Sequence, residues 1–252
     1  MIMKPSIKQT RDLMGMTISV ELVNHSATYT NLDMVFSYFE SVEKRFSFFR
    51  KDSEITLINN KKIKQDQYSK DMKTIFALAE KTKKETNGFF DIITSDGKYN
   101  PSGLVKGWAI YNASELLLEK GFKDFYVEAG GDIQANGFNR MEEKWKVGIQ
   151  NPFDPSQIAK IVHLTNAGIA TSGTYRRGQH IYDPHNRSKL LADILSISVI
   201  GPNVFEADRF ATAAFAMGSK GISFIERLNG FEAYMIDKNR MATQTSGFVK
   251  YL

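Results

Sequence analysis

Apolar and polar residues alternate over 15–23, from Gly15-Met16-Thr17 to Leu22-Val23, which predicts a strand. From residue 31 the period changes. Leu32, Val35, Phe36, Phe39, Val42 and Phe46 recur at helical spacing over 31–46, with Thr30 or Asn31 as a cap. A second amphipathic helix is predicted over 69–86, with Met72, Ile75, Phe76 and Ala79 on one face. A third runs over 103–120 and stops at Gly121. Strands then dominate, near 125–128, 144–150, 158–164, 167–171, 180–182 and 193–200. The turns between them carry Gly130-Gly131, Asn151-Pro152 and Asp183-Pro184. Helices follow over 204–217 and 220–229, the latter closed by Gly230, and two strands near 231–236 and 241–250 end the chain.

Helices therefore flank a strand-rich middle with no regular strand–helix alternation. That order predicts an α+β fold with mixed or antiparallel sheets rather than a doubly wound parallel one. No linker-like stretch, fixed-period repeat or low-complexity tract divides the 252 residues, so 1–252 is read as a single domain. A chain of this length buries about 70–75% of its unfolded surface, enough for a substantial core.

Composition narrows the chemistry. The absence of cysteine excludes disulfides, thiolate zinc sites, iron–sulfur clusters and a cysteine nucleophile, so a metal must be held by oxygen or imidazole. Lys plus Arg is 33 against 28 Asp plus Glu, a net charge of +5. This suits an anionic small ligand, and no basic helix or stacking motif supports a nucleic-acid partner. The first residues, Met1-Ile2-Met3-Lys4-Pro5, hold no apolar run of signal-peptide type, and no window approaches a membrane span. A cytoplasmic protein without membrane insertion is expected.

Five segments are candidates for chemistry, and each has a plainer structural reading beside it. In Asn100-Pro101-Ser102-Gly103-Leu104-Val105-Lys106-Gly107, a turn opens a helix whose free amides favour an anion. Lys106 in that first turn opposes the helix dipole unless an anion joins it; the segment is otherwise a simple turn-to-helix junction. Gly130-Gly131 lets backbone approach a ligand, with Asp132 able to accept from ribose or adenine; a hairpin turn explains the glycines equally well. Thr171-Ser172-Gly173-Thr174-Tyr175-Arg176-Arg177 has the composition of a phosphate-binding loop, or of a surface loop with two free arginines. His180, before Asp183-Pro184, is a structural or a catalytic histidine. Asp208 and Thr212 lie one turn apart in an Ala- and Phe-rich helix, where a hard cation such as Mg²⁺ would satisfy both. The alternative is an Asp208–Arg209 or other ion pair, with Thr212 bonded back to its helix.

Taken in order, these segments resemble the ApbE family of FAD:protein FMN transferases. Met14-Gly15-Met16-Thr17, Phe46-Ser47-Phe48-Phe49 to Thr56, Pro101 to Ala109, Gly130 to Ile133, Ala170 to Gly173, His180 to Pro184 and Ala207-Asp208 to Thr212 follow one another as they do there. The resemblance spans nearly the whole chain. It implies a single ApbE-like, T-fold-related domain that splits FAD at its pyrophosphate. FMN passes to a Thr or Ser hydroxyl of an acceptor protein as a phosphoester, AMP leaves, and Mg²⁺ assists.

By the same resemblance Asp208, Thr212 and the Gly103 carbonyl hold the metal, and His180 is the base that takes the acceptor proton. Asp208 counts with His180 as catalytic. Asp132 and Ser172 match FAD-binding positions, and His180 borders them. Lys106 and Arg177 are phosphate contacts on physical grounds, and Met14 or Phe49 packs on a ring of the flavin or adenine. Two departures stand out. Only Ile93 to Ser102 separate Phe90-Asp91-Ile92 from the Lys-Gly helix, so this is a short form. Ser172-Gly173-Thr174-Tyr175-Arg176-Arg177 is also more cationic than the Ser-Gly-Asp-Tyr-Glu-Arg of longer members. An FAD pyrophosphatase and a non-catalytic FAD-binding protein are the alternatives.

Overall fold

A computed structural model describes residues 3–174, 181–186 and 191–252. Among the described residues ten strands form an eight-stranded sheet and a two-stranded hairpin, and every strand pair is antiparallel. The chain begins with β1 (Ser6–Leu13) and β2 (Met16–Val23), joined by a tight turn in which Met14 and Gly15 both take positive φ. Helices α1 (Tyr29–Phe46), α2 (Glu54–Asn59), α3 (Lys70–Glu85) and α4 (Ser102–Glu119) follow, and β3 (Phe125–Ala129) and β4 (Asp132–Asn136) return to the sheet. The hairpin β5 (Trp145–Asn151) and β6 (Asp154–Leu164) interrupts the meander. Then come β7 (Ala167–Gly173), β8 (Ile194–Gly201), α5 (Val204–Ala216), α6 (Gly221–Glu226), β9 (Glu232–Asp237) and β10 (Ala242–Gln244).

The sheet order is β1-β2-β3-β4-β7-β8-β9-β10. Two strand–strand–helices–strand–strand units are thus joined edge to edge, through the pairing of Ile133 with Ile169 and Ala135 with Ala167. The amino-acid sequence shows no matching repeat; the duplication exists in strand order alone. Helices α4 and α5 hold corresponding places and pack together on one face of the sheet.

Period-two burial explains the layers. Ile18, Val20 and Leu22 of β2 and Phe125 and Val127 of β3 point toward the helices, where they meet Phe36 and Phe39 of α1 and Leu104 of α4. Each such fully buried side chain stabilises the fold by about 1.5–3 kcal/mol relative to exposure. Ile197 and Val199 of β8 form the matching core with Phe210, Phe215 and Phe224. The other face packs Ala135, Ile169 and Ile200 under Trp145, Val147 and Val162 of the hairpin.

Most predicted elements are present, with corrections. The strand expected near 180–182 is absent where it can be described: Ile181 and Tyr182 have no regular structure, and residue 180 lies outside the described residues. The strand expected over 241–250 is the three-residue β10 followed by a 3-10 turn at Ser246–Tyr251. The helix expected over 220–229 is only the six-residue α6. Strands β1 and β4 and helix α2 were not expected. Among the described residues no helix is long and apolar enough to cross a membrane.

Candidate functional site

Helices α4 and α5 cross at two points of contact, with Gly103 facing Thr212 and Gly107 facing Asp208. A Cβ built on Gly103 would sit 3.3 Å from Thr212 Cγ2, and one on Gly107 would sit 2.6 Å from Asp208 Cβ. The pairing of 103 with 212 and 107 with 208 makes the helices antiparallel, each presenting two positions one turn apart. Only glycine fits at 107. With no side chain in the way, its backbone N–H donates to Asp208 Oδ2 at 2.8 Å.

The sheet below supplies polar groups where apolar ones would ordinarily face helices. On β4, Gln134 Oε1 accepts from the N–H of Val204 at 2.8 Å and so satisfies a free amide at the start of α5. Asn203 accepts from Glu206 N–H at 2.9 Å and caps the same helix. Two residues before Gln134, on the same strand face, Asp132 is almost fully buried. Its Oδ1 accepts from Thr171 N–H at 3.0 Å, and its Oδ2 lies 2.5 Å from Lys106 Nζ. The Lys106 ammonium is also 3.7 Å from Asp208 Oδ1. The anions that join this first-turn lysine are therefore two aspartates from opposite layers.

Asp208 is 3% exposed. Burial pushes its carboxyl up to about 7; Lys106 opposes that rise and Asp132 adds to it. The alternative Asp208–Arg209 pairing is not what forms. Arg209 leaves on the other side of α5, pairs with Glu206 and with Glu85 of α3, and lies 3.9 Å from the centre of the Phe210 ring. It clamps α5 to α3 and leaves Asp208 to α4.

A cleft opens over this crossing. Gly103, Lys106, Asp208, Thr212, Ser172 and Gly130 line it, and Phe89, Phe90 and Tyr182 form its sides. Its mouth is open to solvent, and its enclosed part holds about 130 Å³. Ser172 Oγ lies 3.5 Å from Thr212 Oγ1. The amino end of α4 opens here too: Ser102 N–H is met by Asn100 Oδ1 at 3.1 Å, and Ser102 and Gly103 border the cleft with the positive end of the helix dipole. A second cleft, between the β3–β4 turn and β5, shares Gly130 and Thr171 with the first.

The structure brings together Gly103, Lys106, Asp132, Ser172, Asp208 and Thr212 from four separate segments. Asp132 is buried beneath the cleft, with Oδ1 on the Thr171 N–H and Oδ2 beside the Lys106 ammonium. Met14 sits in the β1–β2 turn against the helical core, and Phe49, in the loop before α2, is 98% exposed; neither lines a cleft. His180 and Arg177 lie outside the described residues. The segment that follows them is fastened to the α3–α4 connection: Tyr182 Oη donates to the Ile93 carbonyl at 3.1 Å, and His185 Nε2 lies 2.9 Å from the Asn87 carbonyl. Sequence reasoning missed Gly107 and Gln134. The matching four-residue spacings, Gly103 to Gly107 and Asp208 to Thr212, were the available sign of the crossing.

Comparison with known proteins bears on the family and the fold. The chain is 30% identical over 146 residues to the FAD:protein FMN transferase of Salmonella typhimurium; the match covers 54% of this chain and 42% of that protein. It thus spans less than half the length of that relative. It is 27% identical over 237 residues to the FAD:protein FMN transferase of Buchnera aphidicola, covering 90% of this chain and 67% of the relative. The fold superimposes on the flavin transferase ApbE of Vibrio cholerae with a TM-score of 0.86 at 22% identity, over 98% of this chain and 99% of that one. For the ApbE protein of Thermotoga maritima the TM-score is 0.87 at 17% identity, over 98% and 99% of the two chains. The ApbE family profile matches residues 14–96 and 93–235, nearly all of the elements that build the crossing and its cleft, and the chain belongs to the ApbE family.

Proposed function

We propose that the chain is a Mg²⁺-dependent FAD:protein FMN transferase, which moves FMN to a Thr or Ser hydroxyl of an acceptor protein and releases AMP. The observation that carries this reading is the buried Asp208 carboxylate at the α4–α5 crossing, with Thr212 one turn on and Gly103 opposite.

The donor chemistry fits Mg²⁺. One carboxylate, one hydroxyl and one carbonyl form an all-oxygen set that leaves positions for water and for substrate phosphate, as this ion prefers. By helical register the Gly107 N–H is the partner of the Gly103 carbonyl. Its bond to Asp208 competes with that helical bond and loosens the hold on the carbonyl oxygen. Asp208, Thr212 and the Gly103 carbonyl would hold the ion, which would offset charge building on the pyrophosphate as AMP departs.

The chain's own groups perform the rest. Lys106 and the positive end of the α4 dipole, where Ser102 and Gly103 border the cleft, bind phosphate oxygens at the cleft floor. Ser172, beside Thr212, donates to a phosphate oxygen. The acceptor oxygen bonds to the phosphorus of the FMN half, the bridging bond to AMP breaks, and the hydroxyl proton passes to His180. Arg177 adds a phosphate contact. The His180 role rests on the family resemblance, and the Arg177 contact on the cationic, hydroxyl-rich composition of its segment.

The test is incubation with FAD and Mg²⁺, with and without a flavin-acceptor domain carrying a target Thr. AMP is followed by chromatography and the acceptor by mass spectrometry. An FMN-sized mass gain that EDTA abolishes is expected. AMP and free FMN with an unlabelled acceptor would make the protein a pyrophosphatase; FAD bound without turnover would make it a binding protein.

A further inference from the structure

Two nearly buried carboxylates share one ammonium at the floor of the cleft. Asp132 and Asp208 have side chains 1% and 4% exposed, and Lys106 reaches both. Each carboxylate is organised alike: one oxygen accepts a backbone N–H, from Thr171 for Asp132 and from Gly107 for Asp208, and the other faces Lys106. The sharing is unequal, 2.5 Å against 3.7 Å. With both carboxyls ionised, two negative charges against one positive leave the cluster short of positive charge in surroundings that screen poorly.

We infer that Lys106 is an internal competitor for the divalent cation at Asp208, and that Asp132 is a positioning residue that sets how strongly it competes. This rests on reading Asp208, Thr212 and Gly103 as the metal site. Before a cation binds, Lys106 partly neutralises Asp208. A cation on Asp208 Oδ1 meets a like charge at close range, because that oxygen already lies 3.7 Å from Nζ. Asp132 draws the ammonium toward itself and so lowers the repulsion without removing it. Cation affinity is therefore low in the free protein. A pyrophosphate bound in the cleft would offset both positive charges and so relieve their repulsion, and anion and cation would each strengthen the binding of the other.

The inference gives two neighbouring substitutions effects of opposite sign, which a merely structural role for the pair would not do. Metal-free full-length protein is titrated with MgCl₂, and the dissociation constant is read by calorimetry and by the shift in melting temperature. Lys106→Met is expected to bind Mg²⁺ at least about fivefold tighter than wild type, since a repelling charge is gone. Asp132→Asn is expected to bind it at least about fivefold weaker, since the ammonium then turns to Asp208. Lys106→Arg keeps the charge and stays near wild type. Adding inorganic pyrophosphate raises wild-type Mg²⁺ affinity more than that of Lys106→Met. If Lys106→Met binds Mg²⁺ equally or more weakly, the inference is overturned. Should that variant not fold, unchanged or tighter binding by Asp132→Asn overturns it. Equal Mg²⁺ binding by all forms refutes the competition and leaves the metal site standing; no binding by any form refutes the metal site and the inference with it.

Discussion

Gly107 donates its backbone N–H to Asp208 Oδ2 at 2.8 Å, across two helices that the chain separates by 101 residues. A mid-helix amide rarely has room to bond outside its own helix. Here it does so because residue 107 has no side chain and α5 approaches along that gap. The bond fixes Asp208 against α4, turns its other oxygen toward Lys106 and the cleft, and ties its carboxyl to the rotation of both helices.

Substitution of the two crossing glycines should therefore give graded effects. A Cβ at 107 meets Asp208 Cβ at 2.6 Å and the Val204 carbonyl at 3.0 Å, so Gly107→Ala must separate the helices. We expect a loss of about 1–3 kcal/mol in stability and loss of Mg²⁺-dependent turnover. Gly103→Ala meets only the Thr212 methyl at 3.3 Å and should retain the fold with reduced activity. Urea denaturation alongside AMP release distinguishes the two.

Asp208 gives the metal-free protein a recognisable pH dependence. Its folded value of about 7 lies above the ordinary 3.8, so the folded state holds this proton more tightly than the unfolded state does. Its contribution is most favourable below the unfolded value and is lost as pH rises toward the folded one. Asp208→Asn removes that loss. Melting curves without metal should show the variant gaining on wild type between pH 4 and 7 and staying ahead above it. Added Mg²⁺ should stabilise wild type at pH 8 and leave the variant unmoved.

Thr212→Val keeps the shape of the side chain and removes its hydroxyl. Mg²⁺ affinity should fall by about tenfold, in the range seen when one supporting group of a metal site is lost. Melting temperature should change little, since the hydroxyl's 3.5 Å contact with Ser172 is long. A calorimetric titration that finds wild-type affinity would remove Thr212 from the ligand set.

Arg209 is a structural clamp, and its loss should affect folding more than chemistry. Arg209→Met leaves Glu206 and Glu85 beside a vacated buried charge. The expected cost is about 2–3 kcal/mol, below that of a fully buried pair because both glutamates retain some solvent contact. Lys should not rescue it, because Glu206 is held through both Nε and Nη2 of the guanidinium. The urea midpoint should drop while Mg²⁺ affinity of the folded protein is kept.

The elements read most easily from sequence were the long helices, α1 and α3 with one apolar face and one exposed, α4 and α5 largely buried. Helices α1, α3, α4 and α5 fell within two residues of their expected limits. Strand β1 escaped because Lys8, Gln9, Thr10 and Arg11 give an edge strand little apolar signal; its pairing with β2 defines it. Helix α2 is too short for a period to emerge. Strand β4 escaped because its inward face is polar. Asp132 and Gln134 point inward, where a strand ordinarily carries apolar residues, and serve Lys106 and the start of α5. Local rules failed where buried polar groups meet beneath the cleft. The family resemblance located the candidate chemistry, whereas the partition of Lys106 between two aspartates depends on distances that no sequence pattern contains.

The most direct measurement is a crystal structure of the full chain grown with FAD and Mn²⁺, with anomalous scattering recorded to locate the ion. We predict a peak bonded to Asp208, Thr212 and the Gly103 carbonyl, with the FAD pyrophosphate in the same cleft beside Lys106. FAD bound with its pyrophosphate away from the α4–α5 crossing, or an ion held by other residues, would contradict that assignment.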